Sequence, residues 1–155
     1  GVEGGDGSLR ARNACEHAKL PALADDSGLE VDALNGRPGI YSARYSGPGA
    51  TDTSNNQKLL AELEGTDEAQ RGARYYCALV FMRHAQDPCP LIFLGSLAGR
   101  ILRSPIGDNG FGYDPLFVPD GFRESFAELG EEVKNTLSHR ARALDGAKEW
   151  LTSNI

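Results

Sequence analysis

Two stretches of apolar positions dominate the pattern of the chain and predict paired β-strands. Residues 74–83 and 91–102 flank a polar turn at residues 86–88, so they are predicted to form a hairpin. The first strand is apolar at both odd and even positions, which is typical of a central strand covered on both faces. Helices are therefore expected on both faces of the sheet. Gly95 and Gly99 in the second strand predict bulges or bends.

Helical periodicity and good helix formers predict three helices, over residues 9–20, 51–64 and 139–151. Pro21 ends the first helix because it cannot continue the hydrogen-bonding pattern. Thr51 or Thr53 caps the second helix, and Leu59 and its apolar neighbours face inward. Ser138 is placed to cap the third helix.

A pair of adjacent carboxylates precedes another predicted strand. Residues 29–34 alternate like a half-buried strand and end in a strong turn signal at residues 35–39. Ahead of them, Asp25 and Asp26 are followed by Gly28, which predicts a junction between two extended segments. Two carboxylates at such a junction are a good place to hold a metal ion.

A second chemically distinctive stretch is Gly-Phe-Gly-Tyr-Asp-Pro at residues 110–115. An aromatic residue stands on each side of a glycine, and the proline stiffens the chain beside an acid. This composition suits a loop that clamps a flat ring. Carboxylates together with an aromatic clamp predict a nucleotide ligand.

Charge and composition narrow the possible partners. The net charge of −6 and the pI near 5.0 argue against a general nucleic-acid binder, because affinity for the phosphate backbone comes from clustered Lys and Arg. A small polyanion can still bind through local basic residues and a bridging cation. No secretory or membrane-spanning segment is visible. We therefore expect a cytoplasmic protein with a small-molecule nucleotide as partner, and neither nucleic acid nor membrane.

Length and glycine content predict one domain. The chain has 155 residues, enough for a single core, and glycine-rich residues 1–8 are expected to be a flexible lead-in or an artificial remnant. Residues 9–155 form the predicted domain. Three cysteines, Cys15, Cys77 and Cys89, have no metal-ligand or CxxC spacing and are expected to be free thiols in a reducing cytosol.

Basic residues occur at two unusual places. Arg44 lies between Tyr41 and Tyr45, either in a surface loop whose tyrosines pack on the core or near an anionic ligand. His139 and Arg140 fall in the first turn of the third helix, an end that favours anions. Cations there make sense if an anionic or hydrogen-bond accepting group lies opposite.

Four motifs now stand in order and in register, and together they resemble the inosine triphosphate pyrophosphatase family, in particular its bacterial branch. They are Ala-Asp-Asp-Ser-Gly-Leu at 24–29, Pro-Gly-Ile-Tyr-Ser-Ala-Arg-Tyr-Ser-Gly at 38–47, Gly-Phe-Gly-Tyr-Asp-Pro at 110–115 and Lys-Asn-Thr-Leu-Ser-His-Arg at 134–140. The resemblance covers about residues 9–151. It implies hydrolysis of ITP, dITP and XTP to the monophosphate and pyrophosphate, dependent on Mg²⁺.

The resemblance also implies an architecture. Family members have an α/β fold with a long, twisted, mixed β-sheet flanked by helices, and two lobes with a central substrate cleft. They are usually homodimers. We therefore expect these features in this chain.

Residue roles follow from the same resemblance. Asp26 matches the general base and Mg²⁺ ligand, with Asp25 as a supporting carboxylate. Arg44 is added as a supporting residue on its local pattern, not on the resemblance. The remaining matches are substrate-binding positions: Ser27, Phe111, Gly112, Tyr113, Asp114, Lys134, His139 and Arg140. Among these, the segment 111–114 holds the base, and the His139-Arg140 pair reads the oxygen at the 6-position of the purine.

One departure from the family pattern leaves two alternatives open. Relatives begin with a strand, a phosphate-binding loop and a glutamate that helps to hold Mg²⁺, and the sequence as given starts after them. The first alternative is an active pyrophosphatase. The second is a catalytically impaired family member that keeps the fold, the base pocket and the dimer surface and only binds nucleotide.

Overall fold

The computed structural model describes residues 11–14 and 22–154, which form four strands of one sheet together with flanking helices. The strands are β1 (Ala22–Val31), β2 (Gly72–Met82), β3 (Leu91–Ile101) and β4 (Phe117–Pro119). The α-helices beyond residue 22 are α1 (Asp52–Glu62), α2 (Glu131–Leu137) and α3 (His139–Asn154). Short 3₁₀ helices span Asp32–Leu34, Gly39–Arg44 and Glu68–Gln70. The predicted combination of a sheet with flanking helices is confirmed.

The chain divides into two compact units that take alternating parts of the sequence. The first unit contains the described residues within 1–27, 76–96 and 139–155, and the second contains 28–75 and 97–138. Two units accord with the two predicted lobes. The predicted substrate cleft stays a prediction.

The strands follow one another in the sheet in the order β1, β2, β3, β4, so the predicted hairpin of β2 and β3 is confirmed. β3 and β4 are antiparallel, with Gly99 opposite Pro119 and Ile101 opposite Phe117. Among the described residues, β4 pairs with this last part of β3.

β2 is covered on both faces, as its continuous apolar pattern predicts. Within the first unit, one face packs Cys77 and Leu79 against Ala143 and Ala147 of α3. Val80 and Met82 belong to a separate buried cluster that includes Ala11 from the helical residues 11–14. The alternating side chains of a strand supply these two faces.

The second unit has the larger apolar core, built from parts of all four strands, from α1 and from the loops between them. Thr51 starts α1 with a capping box, in which its hydroxyl accepts from the Ser54 backbone N–H and Ser54 returns a bond to the Thr51 N–H. This cap, rather than Thr53, orients α1 so that Leu59 and Leu63 are fully buried. The prediction of a core-facing helix here is confirmed.

β1 corrects the predicted position of the carboxylates. Asp25 and Asp26 lie inside a continuous strand that runs to Val31, so the expected junction at Gly28 is wrong. Gly28 is not among the glycines with positive φ, and it continues the extended backbone. The strand also ends earlier than predicted, because the Val31 carbonyl accepts the Gly36 N–H and closes the turn.

Close packing, rather than a bend, accounts for the two glycines of β3. A Cβ atom on Gly95 would lie 2.1 Å from the His139 carbonyl oxygen and 2.5 Å from the Ala143 nitrogen, both in the backbone of α3. A Cβ on Gly99 would lie 2.3 Å from the Val118 carbonyl oxygen. Both glycines belong to one continuous strand, so the prediction of strand bulges is replaced by one of close backbone approach.

Parts of several predictions lie outside the described residues. Residues 11–14 of the predicted first helix are helical, whereas 9–10 and 15–20 are not described. The lead-in at 1–8 and Cys15 also lie outside the described part. Cys77 and Cys89 are free thiols, the first buried and the second exposed. In the described part of the chain, no helix has the length and apolar character needed to cross a membrane.

Asp87 organises the turn between β2 and β3. Its carboxylate accepts bonds from the Arg83 backbone N–H at 3.0 Å, from the Arg83 guanidinium at 2.9 and 3.0 Å, and from the Cys89 N–H at 3.0 Å. The Arg83 guanidinium and these backbone N–H groups lower the pKa of Asp87 below its ordinary value.

Asp87→Asn is expected to lower the melting temperature more at pH 6 than at pH 3. A carboxyl group with a lowered folded-state pKa stabilises the fold above its unfolded pKa of about 3.9, and this contribution is lost as the pH falls below that value. Thermal unfolding at both pH values measures the difference, with the exposed Asp120→Asn as the control. An equal loss at both pH values would contradict the assignment.

Candidate active site

The first unit brings three of the predicted site residues together around α3. The Arg140 Nε lies 3.1 Å from the Asp25 Oδ2, and both side chains are 44% exposed. The cation at the start of α3 therefore has a carboxylate opposite, as the unusual charge at this helix end predicts. Ser27 lies two residues further along β1, and its hydroxyl and the Arg140 side chain both lie near the buried thiol of Cys77.

Burial raises the pKa of the Cys77 thiol, and the nearby Asp25 carboxylate acts in the same direction. The neighbouring Ser27 and Arg140 act on the Cys77 pKa in the opposite direction but do not reverse the shift. Cys77 therefore stays a neutral thiol at physiological pH. It packs beneath Ser27 and Arg140 as a small buried group.

Asp26 occupies the other face of β1. Successive side chains of a strand point to opposite faces, so Asp25 and Ser27 share one face and Asp26 shares the other with Ala24. Ala24 packs on the cluster of Val80 and Met82, which confirms the orientation of that face. Asp26 itself is half-buried. The structure thus places Asp25 against Arg140 rather than alongside Asp26.

In the second unit, Asp114 is the centre of a polar group with little exposed surface. Its Oδ2 accepts from the Lys134 ammonium at 2.9 Å and from the Phe111 backbone N–H at 3.1 Å. Its Oδ1 accepts from the Tyr75 hydroxyl at 3.1 Å. Only 7% of the Asp114 side chain and 12% of the Lys134 side chain are exposed, so water screens this ion pair weakly.

Two aromatic rings lie against the Lys134 ammonium. Its nitrogen is 5.3 Å from the ring centre of Phe111 and 5.8 Å from that of Phe126, within the range of cation–π attraction. Phe126 is buried, whereas 65% of Phe111 is exposed. The exposed ring of Phe111 therefore lies beside a largely buried cation.

α1 holds the clamp segment 111–114 through the peptide groups of Gly112. The Gly112 N–H donates to Asp52 Oδ2 at 2.9 Å, and its carbonyl accepts from the Asn56 amide at 3.1 Å. Gly112 has a φ of 61°, a left-handed conformation that favours glycine. The Tyr113 hydroxyl adds a bond of 2.6 Å to the Ser42 carbonyl. Three hydrogen bonds to residues outside the segment thus hold it in place.

Sequence reasoning missed Tyr75, Asp52 and Asn56. In the sequence alone, Asp52 is an ordinary acidic residue in the first turn of a predicted helix. Tyr75 is one of the apolar residues of a predicted buried strand. Their contacts join segments that are far apart in the sequence, so no local sequence pattern predicts them.

Arg44 is exposed at the end of the 3₁₀ helix Gly39–Arg44. Its guanidinium lies 5.5 Å from the ring centre of Tyr41, which is itself 54% exposed. Tyr45 is buried in the core. One tyrosine therefore packs inside as the surface-loop alternative predicts, and the contact of Arg44 with an anionic ligand stays a prediction.

The predicted site residues accordingly fall into two groups. Asp25, Asp26, Ser27, His139 and Arg140 lie in the first unit, and Arg44, Phe111, Gly112, Tyr113, Asp114 and Lys134 lie in the second. Among the described residues, no three side chains of the types His, Cys, Asp and Glu are arranged to hold a metal ion.

Known proteins are similar to this chain in sequence and in fold. The family model of the Ham1 family matches residues 7–150. The "dITP/XTP pyrophosphatase" of Yersinia pseudotuberculosis is 54% identical over 136 residues, which are 88% of this chain and 69% of the relative.

Solved structures of two Ham1 proteins are similar in fold to this chain. A HAM1 protein from Coxiella burnetii matches with a TM-score of 0.90 at 45% identity, over 95% of this chain and 75% of that one. The Ham1 protein of Staphylococcus aureus matches with a TM-score of 0.88 at 38% identity, over 96% and 76%.

Proposed function

The chain belongs to the Ham1 family, and on that premise we propose that it hydrolyses dITP, XTP and ITP to the nucleoside monophosphate and pyrophosphate. The observation that carries the proposal is the extent of the family match, which includes all four motifs. The name of the Yersinia pseudotuberculosis relative supports the choice of substrate. The chain is accordingly a nucleoside triphosphate pyrophosphatase, a hydrolase of the nucleotide pool.

Hydrolysis at the α-phosphate requires an activated water, neutralisation of the phosphate oxygens and a stabilised pyrophosphate leaving group. Asp26 is the proposed general base. An ordinary carboxyl group is a weak base at neutral pH, so its contribution depends on its position and on the acidity of the attacking water.

Mg²⁺ is the proposed cofactor. It usually keeps several waters and binds through one or two carboxylates together with substrate phosphates, so it does not need a cage of protein ligands. Asp26 fits this requirement as a single carboxylate, because Asp25 is engaged with Arg140. When bound, Mg²⁺ supplies charge neutralisation and a more acidic water.

Selectivity for a 6-oxo purine is assigned to donors at the start of α3. Asp25 engages Arg140 at Nε, which leaves other N–H groups of the guanidinium for a substrate oxygen. An adenine amino group at the same place would leave a desolvated donor unpaired. The proposed role of Asp25 is therefore to orient Arg140, which recognises the purine oxygen. The homodimer and the cytoplasmic location stay predictions.

Product analysis tests the proposal. With XTP and Mg²⁺, the chain is expected to release XMP and pyrophosphate in equal amounts without orthophosphate, and excess EDTA is expected to stop the reaction. Release of orthophosphate and XDP would contradict cleavage at the α-phosphate. Binding of XMP without turnover would favour the catalytically impaired alternative.

A further inference from the structure

Tyr75 is a buried tyrosine whose hydroxyl lies against the clamp segment. It donates to Asp114 Oδ1 at 3.1 Å. One hydroxyl thus holds the carboxylate at the end of the segment. All these residues lie in the second unit.

The ring of Tyr75 is held rigidly by two phenylalanines. It stacks on Phe126 with ring centres 5.9 Å apart and an interplanar angle of 11°, and it packs at a tilt on Phe117 at 4.6 Å. Phe126 in turn lies beneath the Lys134 ammonium. Burial and the neighbouring Asp114 carboxylate raise the pKa of Tyr75 well above its ordinary value, so the hydroxyl stays protonated and remains a donor.

We propose that Tyr75 is a positioning residue that fixes the Asp114 carboxylate for Lys134 and for the clamp, and thereby sets the affinity for the substrate. The inference rests on the proposed function. With Tyr75 in place, each Asp114 oxygen has its own donor, and Oδ2 is directed at Lys134 and Phe111. Without the hydroxyl, the desolvated Oδ1 of Asp114 loses its donor, and the carboxylate is held only through Oδ2.

The effect is expected on KM rather than on kcat. Tyr75, Asp114 and Lys134 lie in the second unit, whereas the proposed general base Asp26 lies in the first. Loosening a binding group that does not take part in the chemical step weakens ground-state and transition-state binding alike.

The variant that tests this is Tyr75→Phe, which removes one oxygen atom and keeps the ring contacts with Phe117 and Phe126. KM for XTP is expected to rise about tenfold with kcat within about twofold of wild type, the change that corresponds to a lost bond to a charged group. The matched control is Tyr45→Phe, because Tyr45 is also a buried tyrosine of the second unit that donates to a carboxylate, that of Glu62. Its KM is expected to stay at the wild-type value.

A double-mutant cycle separates positioning from a general loss of stability. If Tyr75 acts through Asp114, Tyr75→Phe adds little to KM in an Asp114→Asn background, whereas independent effects would multiply. Thermal unfolding of all variants shows whether each is folded at the assay temperature. The affinity for XMP, measured by calorimetry, is expected to fall in parallel with the rise in KM.

The outcomes distinguish this inference from the proposed function. An active wild type in which Tyr75→Phe and Tyr45→Phe have equal KM values overturns the inference alone. A fall in kcat at unchanged KM also overturns it. A wild type without turnover overturns the proposed function, and the affinity for XMP then decides the role of Tyr75. A wild type that does not bind XMP either overturns both.

Discussion

Asp26→Asn is expected to lower kcat for XTP by about 10³-fold, within the range typical of a lost general acid or base. Asparagine keeps the shape of the side chain but can neither accept the proton of the attacking water nor offer a negative charge to Mg²⁺. Initial rates of pyrophosphate release at saturating XTP measure the effect. Asp26 is half-buried in β1, and the isosteric change keeps the strand intact.

Two further variants make the comparison specific. Asp120→Asn removes an exposed carboxylate after β4 and is expected to keep the wild-type rate. Asp25→Asn is expected to affect selectivity between XTP and ATP more than rate, because Asp25 contacts Arg140. If Asp26→Asn retains more than about a tenth of the wild-type rate, Asp26 is not the general base.

Gly95→Ala is expected to lower the free energy of unfolding by about 3 kcal/mol or more, a large effect for one methyl group. The added Cβ would lie 2.1 Å from the His139 carbonyl oxygen and 2.5 Å from the Ala143 nitrogen. Both atoms belong to the backbone of α3, so the clash can be relieved only if the helix moves away from β3. Urea unfolding followed by circular dichroism measures the loss.

Gly146→Ala provides a control of opposite sign within the same helix. The nearest atom to its Cβ is Phe93 Cδ1 at 3.8 Å, an ordinary contact, and the substitution removes a flexible residue from a helix interior. It is expected to stabilise the protein by about 0.5–1 kcal/mol. If Gly95→Ala were as stable as wild type, the close approach of α3 to β3 would be wrong.

The sequence was most informative where local chemistry determines the structure. Thr51 and Ser54 form a capping box that fixes the start of α1, and the continuous apolar pattern of β2 predicts a strand covered on both faces. The turn after β1 is closed by Asn35 with a φ of 55° and by Gly36 with a φ of 89°. Each of these features depends on residues that are close in the sequence.

Distant contacts explain where local reasoning failed. Gly28 was predicted to mark a break, but it lies inside the continuous strand β1, which pairs with β2. Asp25 and Asp26 therefore point to opposite faces of β1. Gly95 was predicted to mark a bulge. In the structure, its lack of a side chain leaves room for the backbone of α3.

The candidate site was predictable as a set of residues only through the family resemblance. Its internal contacts were not predictable, because they depend on tertiary neighbours. Asp25 meets Arg140 from the other end of the chain, and Tyr75 reaches Asp114 across 39 residues. A single sequence contains no local pattern that predicts such pairs of contacting residues.

The most direct test of the proposed function is the comparison of kcat/KM for XTP and dITP with that for ATP and GTP, measured as pyrophosphate release with Mg²⁺. The proposal predicts that XTP and dITP are preferred over ATP by about 10²-fold or more, as expected for a site whose donors face a 6-oxo group. Equal values for XTP and ATP, or no release of pyrophosphate from any of the four, would contradict it.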